Sequence, residues 1–280
     1  MGKTIAYFQN YCAQNAQEPM QAFQAGVQKY NYKFVPDDLN ADIAVIWSVL
    51  WAGRMQGNKK IFDTFRSANK PVIVIDVGTI KRNVTWKIAV NHINALGHYG
   101  NTDNLDLGRI DKLGLRLGTQ VENNGKILIA AQHRQSLQLA DHNLESWING
   151  QIKSIKKRTD RKIVVRSHPR CPLNYASLIG VDEFDTPRKL NGTYDDFNFN
   201  LNYHTVVNYS SGPGIQAAIA GVRPIVSPAS LAYPVAIQHE NIEKLYDIDR
   251  ENWLHQLAHT EWTVDEMRDG KYFERLLPYL

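Results

Sequence analysis

The chain has 280 residues, 43% of them hydrophobic, and a net charge of +4. That length suits two domains of about 120–150 residues or one large one. No run approaches the roughly 18 apolar residues of a membrane helix, and the basic excess is too mild for a dedicated nucleic-acid protein, though it permits an anionic partner. Lys3 to Phe8 reads as a first strand and Pro19 to Tyr30 as a helix, with Phe23, Val27 and Tyr30 near helical spacing. Asp42 to Trp47 and Pro71 to Asp76 are continuous apolar runs of the kind buried on both faces of a parallel sheet. Lys59 to Asn69 is the helix between them. The first half is therefore β-α-β-α-β, an open parallel sheet. From Thr79 to Gln120 the periodicity weakens into Gly- and Asn-rich sequence, which following a parallel strand reads as a functional loop.

Asn123-Asn124-Gly125 is a turn and a candidate domain boundary, and the run to Gln132 opens a second sheet. Asn143 to Lys157 is a helix, Lys162 to Arg166 a strand, and Asn174 to Asn200 a polar excursion. The chain's organising stretch follows. Thr205 to Val207 is a short β-branched strand, Ser210, Ser211 and Gly212 turn the chain, and Ser211 is placed to cap a helix that Pro213 starts and Gly221 ends. Pro224 to Val226 is the next strand. A helix start flanked by hydroxyls and glycine presents backbone N–H groups and the positive end of a dipole, which suits a phosphate or diphosphate. An ordinary βαβ crossover with nothing bound fits the same residues. Asp247 to Ala258 reads as a helix, and Thr263-Val264-Asp265-Glu266 has capping-box spacing and opens a helix toward Leu277.

The two α/β halves point to two Rossmann-like domains facing across a cleft: an N-terminal domain over 1–120 and a C-terminal one over 121–262. A terminal helix over 263–280 has the N-terminal domain as its candidate packing surface. In the second half the strand ends bring together Gln132-His133-Arg134, Arg166-Ser167-His168-Pro169 and Ser210-Ser211-Gly212. The third glycine of a dinucleotide fingerprint is missing after Gly212 and Gly214, which disfavours NAD. Cys12 and Cys171 stand far apart and form no metal or redox motif, so a reduced, cytosolic protein is expected. Gln9 and Asn10 cut the first apolar run too short for a signal peptide. Lys153, Lys156, Lys157, Arg158, Arg161, Lys162, Arg166 and Arg170 crowd one region; a solvated helix face is the first reading and a phosphate-binding surface the second.

On the Ser-Ser-Gly helix start, the Gly221-Val222-Arg223-Pro224-Ile225 block and the His168-Pro169 strand end, the chain resembles the GT-B glycosyltransferase superfamily. The layout from Asp76-Val77-Gly78 to Arg82, through Leu128-Ile129-Ala130-Ala131-Gln132, His168-Pro169 and Ser210-Ser211, to Trp262-Thr263 and Glu266 is similar to that of small phage-encoded DNA glycosyltransferases. The resemblance implies transfer of a sugar from a nucleotide-diphosphate donor, a UDP-sugar, to a hydroxyl. The implied acceptor is 5-hydroxymethylcytosine or 5-hydroxymethyluracil in double-stranded phage DNA.

Such chemistry needs a base for the acceptor hydroxyl, and Asp76 at a strand end is the choice, with His92 and then His98 in reserve; Asp76 also suits the capping of a turn. Gln132, Arg134, Arg166, His168, Ser210, Ser211 and Gly212 would hold the donor diphosphate. Asp195-Asp196 is adjacent rather than spaced as an Asp-x-Asp pair, and no metal or further cofactor is implied. Lys81, Arg82 and Trp86 would meet DNA phosphates and stack on a base. The Tyr194–Tyr203 segment and Tyr233 are candidates for the nucleoside. A monomer and a homodimer fit equally. The alternatives are a GT-B enzyme of glycan or capsule assembly, a nucleotide-sugar epimerase, and a non-catalytic binding module.

Overall fold

Strands that are apolar on both faces need cover on both sides, and helices between parallel strands supply it. The computed structural model describes residues 2–120, 125–139, 141–187, 189–190, 193–194, 203–244 and 247–280. It comprises two α/β units, Met1–Arg109 with His255–Leu280, and Ile110–Leu254. The sequence reading set its boundaries at 120/121 and 262/263.

The first unit carries β1 (Thr4–Tyr7), α1 (Gln17–Val27), β2 (Lys33–Pro36), β3 (Ile43–Trp47), α2 (Asn58–Ser67), β4 (Val72–Val77) and β5 (Thr85–Val90). With β13 (Glu261–Thr263) from the C-terminal segment, they form a six-stranded sheet in the order β13-β5-β4-β3-β1-β2. Strands β2, β1, β3 and β4 are parallel, whereas β5 runs antiparallel to β4 and β13 antiparallel to β5. The sheet is thus larger and more mixed than the β-α-β-α-β expected. Strand β5 was hidden in the irregular 79–120 stretch because Lys87 breaks its apolar run, yet all six of its residues are buried. One core joins Val45, Trp47, Ile73, Ile75 and Ile88 to Phe23 of α1 and to Met267, Tyr272 and Phe273 of the C-terminal segment. The approach of α1 to α7 (Val264–Asp269) is close: a Cβ on Gly26 would lie 2.0 Å from the Met267 carbonyl oxygen. The capping box forms between Thr263 and Glu266, but its helix stops at Gly270 (φ 83°) and α8 (Lys271–Glu274) follows as a separate turn.

In the second unit β6 (Lys126–Ala130), α4 (Leu144–Lys156), β7 (Ile163–Arg166), β8 (Glu183–Asp185), β11 (Tyr203–Asn208), α5 (Gly212–Ala220) and β12 (Arg223–Val226) build a parallel sheet. Its order is β12-β11-β6-β7-β8. A small antiparallel pair, β9 (Lys189–Leu190) with β10 (Thr193–Tyr194), lies between β8 and β11 in sequence. The short helices α3 (Arg109–Lys112) and α6 (Glu251–Ala258) lie at the two chain crossings between units. Helix α6 begins four residues later than expected. Asp195, Asp196 and most of the Tyr194–Tyr203 segment lie outside the described residues. Half of the basic run is ion-paired, Arg166 with Asp185 among them. Arg158 meets Glu240 at 2.6 Å, Arg161 grips both oxygens of Glu243 at 2.8 and 2.9 Å, and Lys162 lies 3.9 Å from Glu183.

A buried histidine gives the second unit a built-in acid sensitivity. Arg223 donates to His204 Nε2 at 2.6 Å, so the ring proton sits on Nδ1, facing the Thr205 hydroxyl at 2.9 Å. Burial, and then the Arg223 guanidinium, push His204 down to about 4. A depressed histidine favours the folded state above its unfolded value of about 6.5 and loses that contribution as pH falls toward 4. The expected loss between pH 7 and pH 4 is on the order of 2–3 kcal/mol. Urea midpoints measured across that window should fall more steeply for the wild type than for His204→Gln.

Candidate functional site

Parallel register decides what meets at one edge of the second sheet. Asn208, Ala130 and Arg166 lie side by side, so residues 131–134, 167–170 and 209–212 leave the sheet at the same carboxyl edge. This is where open α/β sheets bind ligands. Helix α5 begins there with Ser211 in an extended N-cap conformation. The Ser211 hydroxyl is engaged by Asn208 and makes no cap bond to the first turn. A Cβ on Gly214 would meet Val226 Cγ1 at 2.7 Å, so this helix start sits tightly on the sheet.

The predicted donor residues divide by role. Gln132 is buried and its carboxamide is spent inside the protein: Oε1 accepts from the Ser210 N–H (3.0 Å) and hydroxyl (3.1 Å), and Nε2 donates to Ser136 (2.8 Å). Both Gln132 and Ser210 therefore shape the turn rather than face a ligand. Arg134 donates to Glu145 at 2.9 Å and to the Pro172 carbonyl at 3.1 Å. Arg166 is buried and donates to Asp185 at 2.6 Å. Two guanidiniums expected to meet a diphosphate are thus committed to carboxylates, because each strand end needs its own charge neutralised.

His168 stays at the edge and has a partner the sequence reading had not singled out. His133 packs edge-on against it, ring centroids 5.2 Å apart. Backbone N–H groups donate to both Nδ1 atoms, Gln135 to His133 and Arg170 to His168, at 3.2 and 3.1 Å. In each neutral ring the proton is then on Nε2. Burial, then Arg170 and Arg134, lower His133 and keep it neutral. Arg170 forms no ion pair among the described residues and is the cation nearest in role to the one expected of Arg134. Two imidazole N–H groups, one guanidinium and a helix start make an oxyanion-binding set.

In the first unit, Asp76 ends β4 half-buried. Its Oδ2 accepts from the Ser48 hydroxyl at 2.9 Å and Oδ1 from the Val77 N–H at 2.7 Å. Ser48 has a left-handed backbone (φ 64°), an uncommon conformation for a serine and one that marks a constrained strand end. His92 binds its own neighbour, Nδ1 receiving the Ile93 N–H at 2.8 Å, and burial lowers its pKa. His98 stacks on Tyr279 at 4.6 Å. Lys81 and Arg82 lie on the turn between β4 and β5. Trp86 corrects the expectation of a base-stacking residue: it is 4% exposed, on β5, with its ring 5.6 Å from that of Trp47.

A recess of about 490 Å³ opens beyond the end of β1, lined by Gln9, Asn10, Gln14, Gln17, Gln21 and Arg54. No carboxylate lines it, and Arg54 forms no ion pair among the described residues. Tyr233 is partly exposed in a short helical turn of the second unit. Among the described residues no group of three or more His, Cys, Asp or Glu side chains is placed to hold a metal ion. No helix among them is long and apolar enough to cross a membrane.

No protein-family model and no curated protein matches the sequence. Among solved structures, the chain is similar to KpsC of Thermosulfurimonas dismutans, a beta Kdo 2,7 transferase. The identity is 11% over 99% of this chain and 100% of that one, with a TM-score of 0.55. A UDP-N-acetylglucosamine 2-epimerase structure from Listeria monocytogenes aligns at 12% identity over 99% and 95% of the two chains. Its TM-score of 0.27 carries no structural argument. The fold is two Rossmann-like α/β domains, as the sequence pattern implied, and is similar to that of KpsC.

The Gln132 tether is directly testable. Gln132→Leu leaves the buried Ser210 N–H and hydroxyl unpaired, and a stability loss of about 2 kcal/mol or more is expected. Thermal denaturation would show it, and an unchanged midpoint would remove the tethering role.

Proposed function

We propose that the chain is a glycosyltransferase moving a sugar from a nucleotide-activated donor, a UDP-sugar first, to a hydroxyl of a glycan. The observation that carries the reading is the oxyanion set at the carboxyl edge of the second sheet, in a chain whose fold runs end to end with a glycosyltransferase. The donor's phosphate belongs with His133 Nε2–H, His168 Nε2–H, Arg170 and the start of α5. Asp76 is the base assigned to the acceptor hydroxyl, taking its proton as that oxygen bonds to the anomeric carbon and the sugar–phosphate bond breaks. The electron pair leaves on the phosphate oxygen, where N–H donors and Arg170 offset the charge. The transferase activity of KpsC supports an acidic sugar as a second donor class.

A glycan acceptor is preferred to DNA on two observations. Trp86 is a core residue and does not stack on an extruded base, and half of the basic run, Arg158, Arg161, Lys162 and Arg166, is paired with carboxylates. The carboxamides around Arg54 suit a hydroxyl-rich acceptor. Lys81 and Arg82 are what supports a DNA acceptor.

A donor and acceptor screen tests this directly. The protein is incubated with nucleotide sugars and either oligosaccharides or duplex DNA containing 5-hydroxymethylpyrimidines, and products are weighed by mass spectrometry. A hexose-sized or acidic-sugar mass gain on an oligosaccharide is expected. A gain on DNA alone would overturn the acceptor assignment, and no binding or turnover of any nucleotide sugar would overturn the transferase reading. Arg170→Ala should weaken nucleotide binding about tenfold, the loss of one charge-assisted contact, whereas Asp76→Asn should abolish transfer and leave nucleotide binding intact. Calorimetric titration with the nucleotide separates the two.

A further inference from the structure

Three titratable residues share one row of the first sheet. Asp76 on β4 is the register partner of Lys87 on β5, and Lys87 is the register partner of Glu261 on β13. Directly opposed residues of antiparallel strands project to the same face, with Cβ atoms about 5 Å apart. Lys87 therefore lies between two carboxylates, and it is buried. Burial, the larger effect, lowers the Lys87 pKa, and Glu261 and Asp76 offset part of that by favouring the ammonium.

The two carboxylates are not equivalent. Glu261 has no exposure to water, and four donors occupy it. Oε1 accepts from the Thr79 N–H (2.6 Å) and hydroxyl (2.7 Å), and Oε2 from the Ile80 N–H (3.0 Å) and the Thr85 hydroxyl (2.7 Å). Three come from the turn that follows β4, and the fourth from Thr85, the first residue of β5. A Cβ on Gly78 would lie 2.6 Å from Oε2, so this glycine lets the turn close over the carboxylate. Asp76 stands at the strand end and is only half-buried. The Ser48 hydroxyl approaches from the end of β3, and the buried Tyr99 hydroxyl lies in the field of both carboxylates.

We infer that Lys87 and Glu261 are positioning residues for Asp76: Lys87 holds its carboxylate ionised and aimed, and Glu261 clamps the Gly78–Thr85 turn that frames it. The inference rests on the reading of Asp76 as the base. Neither residue touches substrate. A Lys87 that served only to fill the core would be replaceable by methionine without moving the ionisation of Asp76. A coupled Lys87 would not, because an opposite charge at this distance favours the carboxylate by one pH unit or more. Glu261→Gln cannot be accommodated by rotating the amide, since each carboxylate oxygen accepts a backbone N–H and either orientation sets an NH2 against one.

The test follows the Asp76 carboxyl by carbon NMR in protein labelled at aspartate Cγ, its signal assigned with Asp76→Asn, so no substrate is needed. In Lys87→Met the Asp76 titration is expected to move up by about one unit or more, and Lys87→Arg should restore it. The acid limb of kcat/KM should move with it. In Glu261→Gln the acid limb should hold its position while kcat falls, and amides of residues 79–85 should exchange faster. A folded Lys87→Met with an unmoved Asp76 titration would overturn the inference. If Lys87→Met does not fold, Lys87→Gln carries the same comparison. Transfer surviving in Asp76→Asn would instead overturn the reading of Asp76 as base, and the NMR coupling would stand or fall separately.

Discussion

A carboxylate with no access to water must find its hydrogen bonds inside the protein, and Glu261 finds four in one turn of chain. The requirement works in both directions. The turn after β4, with the first residue of β5, has two backbone N–H groups and two hydroxyls that need acceptors, and the C-terminal segment needs a reason to return to the sheet. Strand β13 meets both needs by pairing with β5. Lys87 stands in register between Glu261 and Asp76, so the strand end that carries the proposed base shares a row with two other charged residues. Buried groups of this kind stabilise only when complete, because each missing partner leaves a desolvated charge.

The second unit solves a different problem. Its strand ends crowd positive charge at one edge, and most of that charge is neutralised locally, Arg134 by Glu145 and Arg166 by Asp185. The same edge carries the His133 and His168 imidazoles, Arg170 and the first turn of α5. Neutral donors held by backbone hydrogen bonds suit a site where charge develops during reaction, since they need no rearrangement when it appears. Gln132 acts behind them, tying the Ser210 turn to the end of β6.

The two units thereby carry different parts of the chemistry proposed for the chain, one a base and a carboxamide-lined recess, the other an oxyanion site. Both rest on the carboxyl ends of parallel strands, where the backbone leaves the sheet and side chains are released from strand packing.

The sequence by itself determined the α/β class, the strands Ile43–Trp47, Val72–Val77 and Ile163–Arg166, and the strand–turn–helix around Ser211, because continuous apolar runs and Gly/Pro punctuation are local signals. It also placed Asp76 and His168 at strand ends. Only the tertiary structure decided which charges were already spoken for. Arg134 and Arg166 find partners distant in sequence, Trp86 is drawn into the core by the strand that Lys87 had disguised, and Glu261 acts on residues 79–85 only because β13 returns to β5. Local pattern records what a residue can do; the partner that completes or cancels it is brought up by register and packing, which no window of sequence contains.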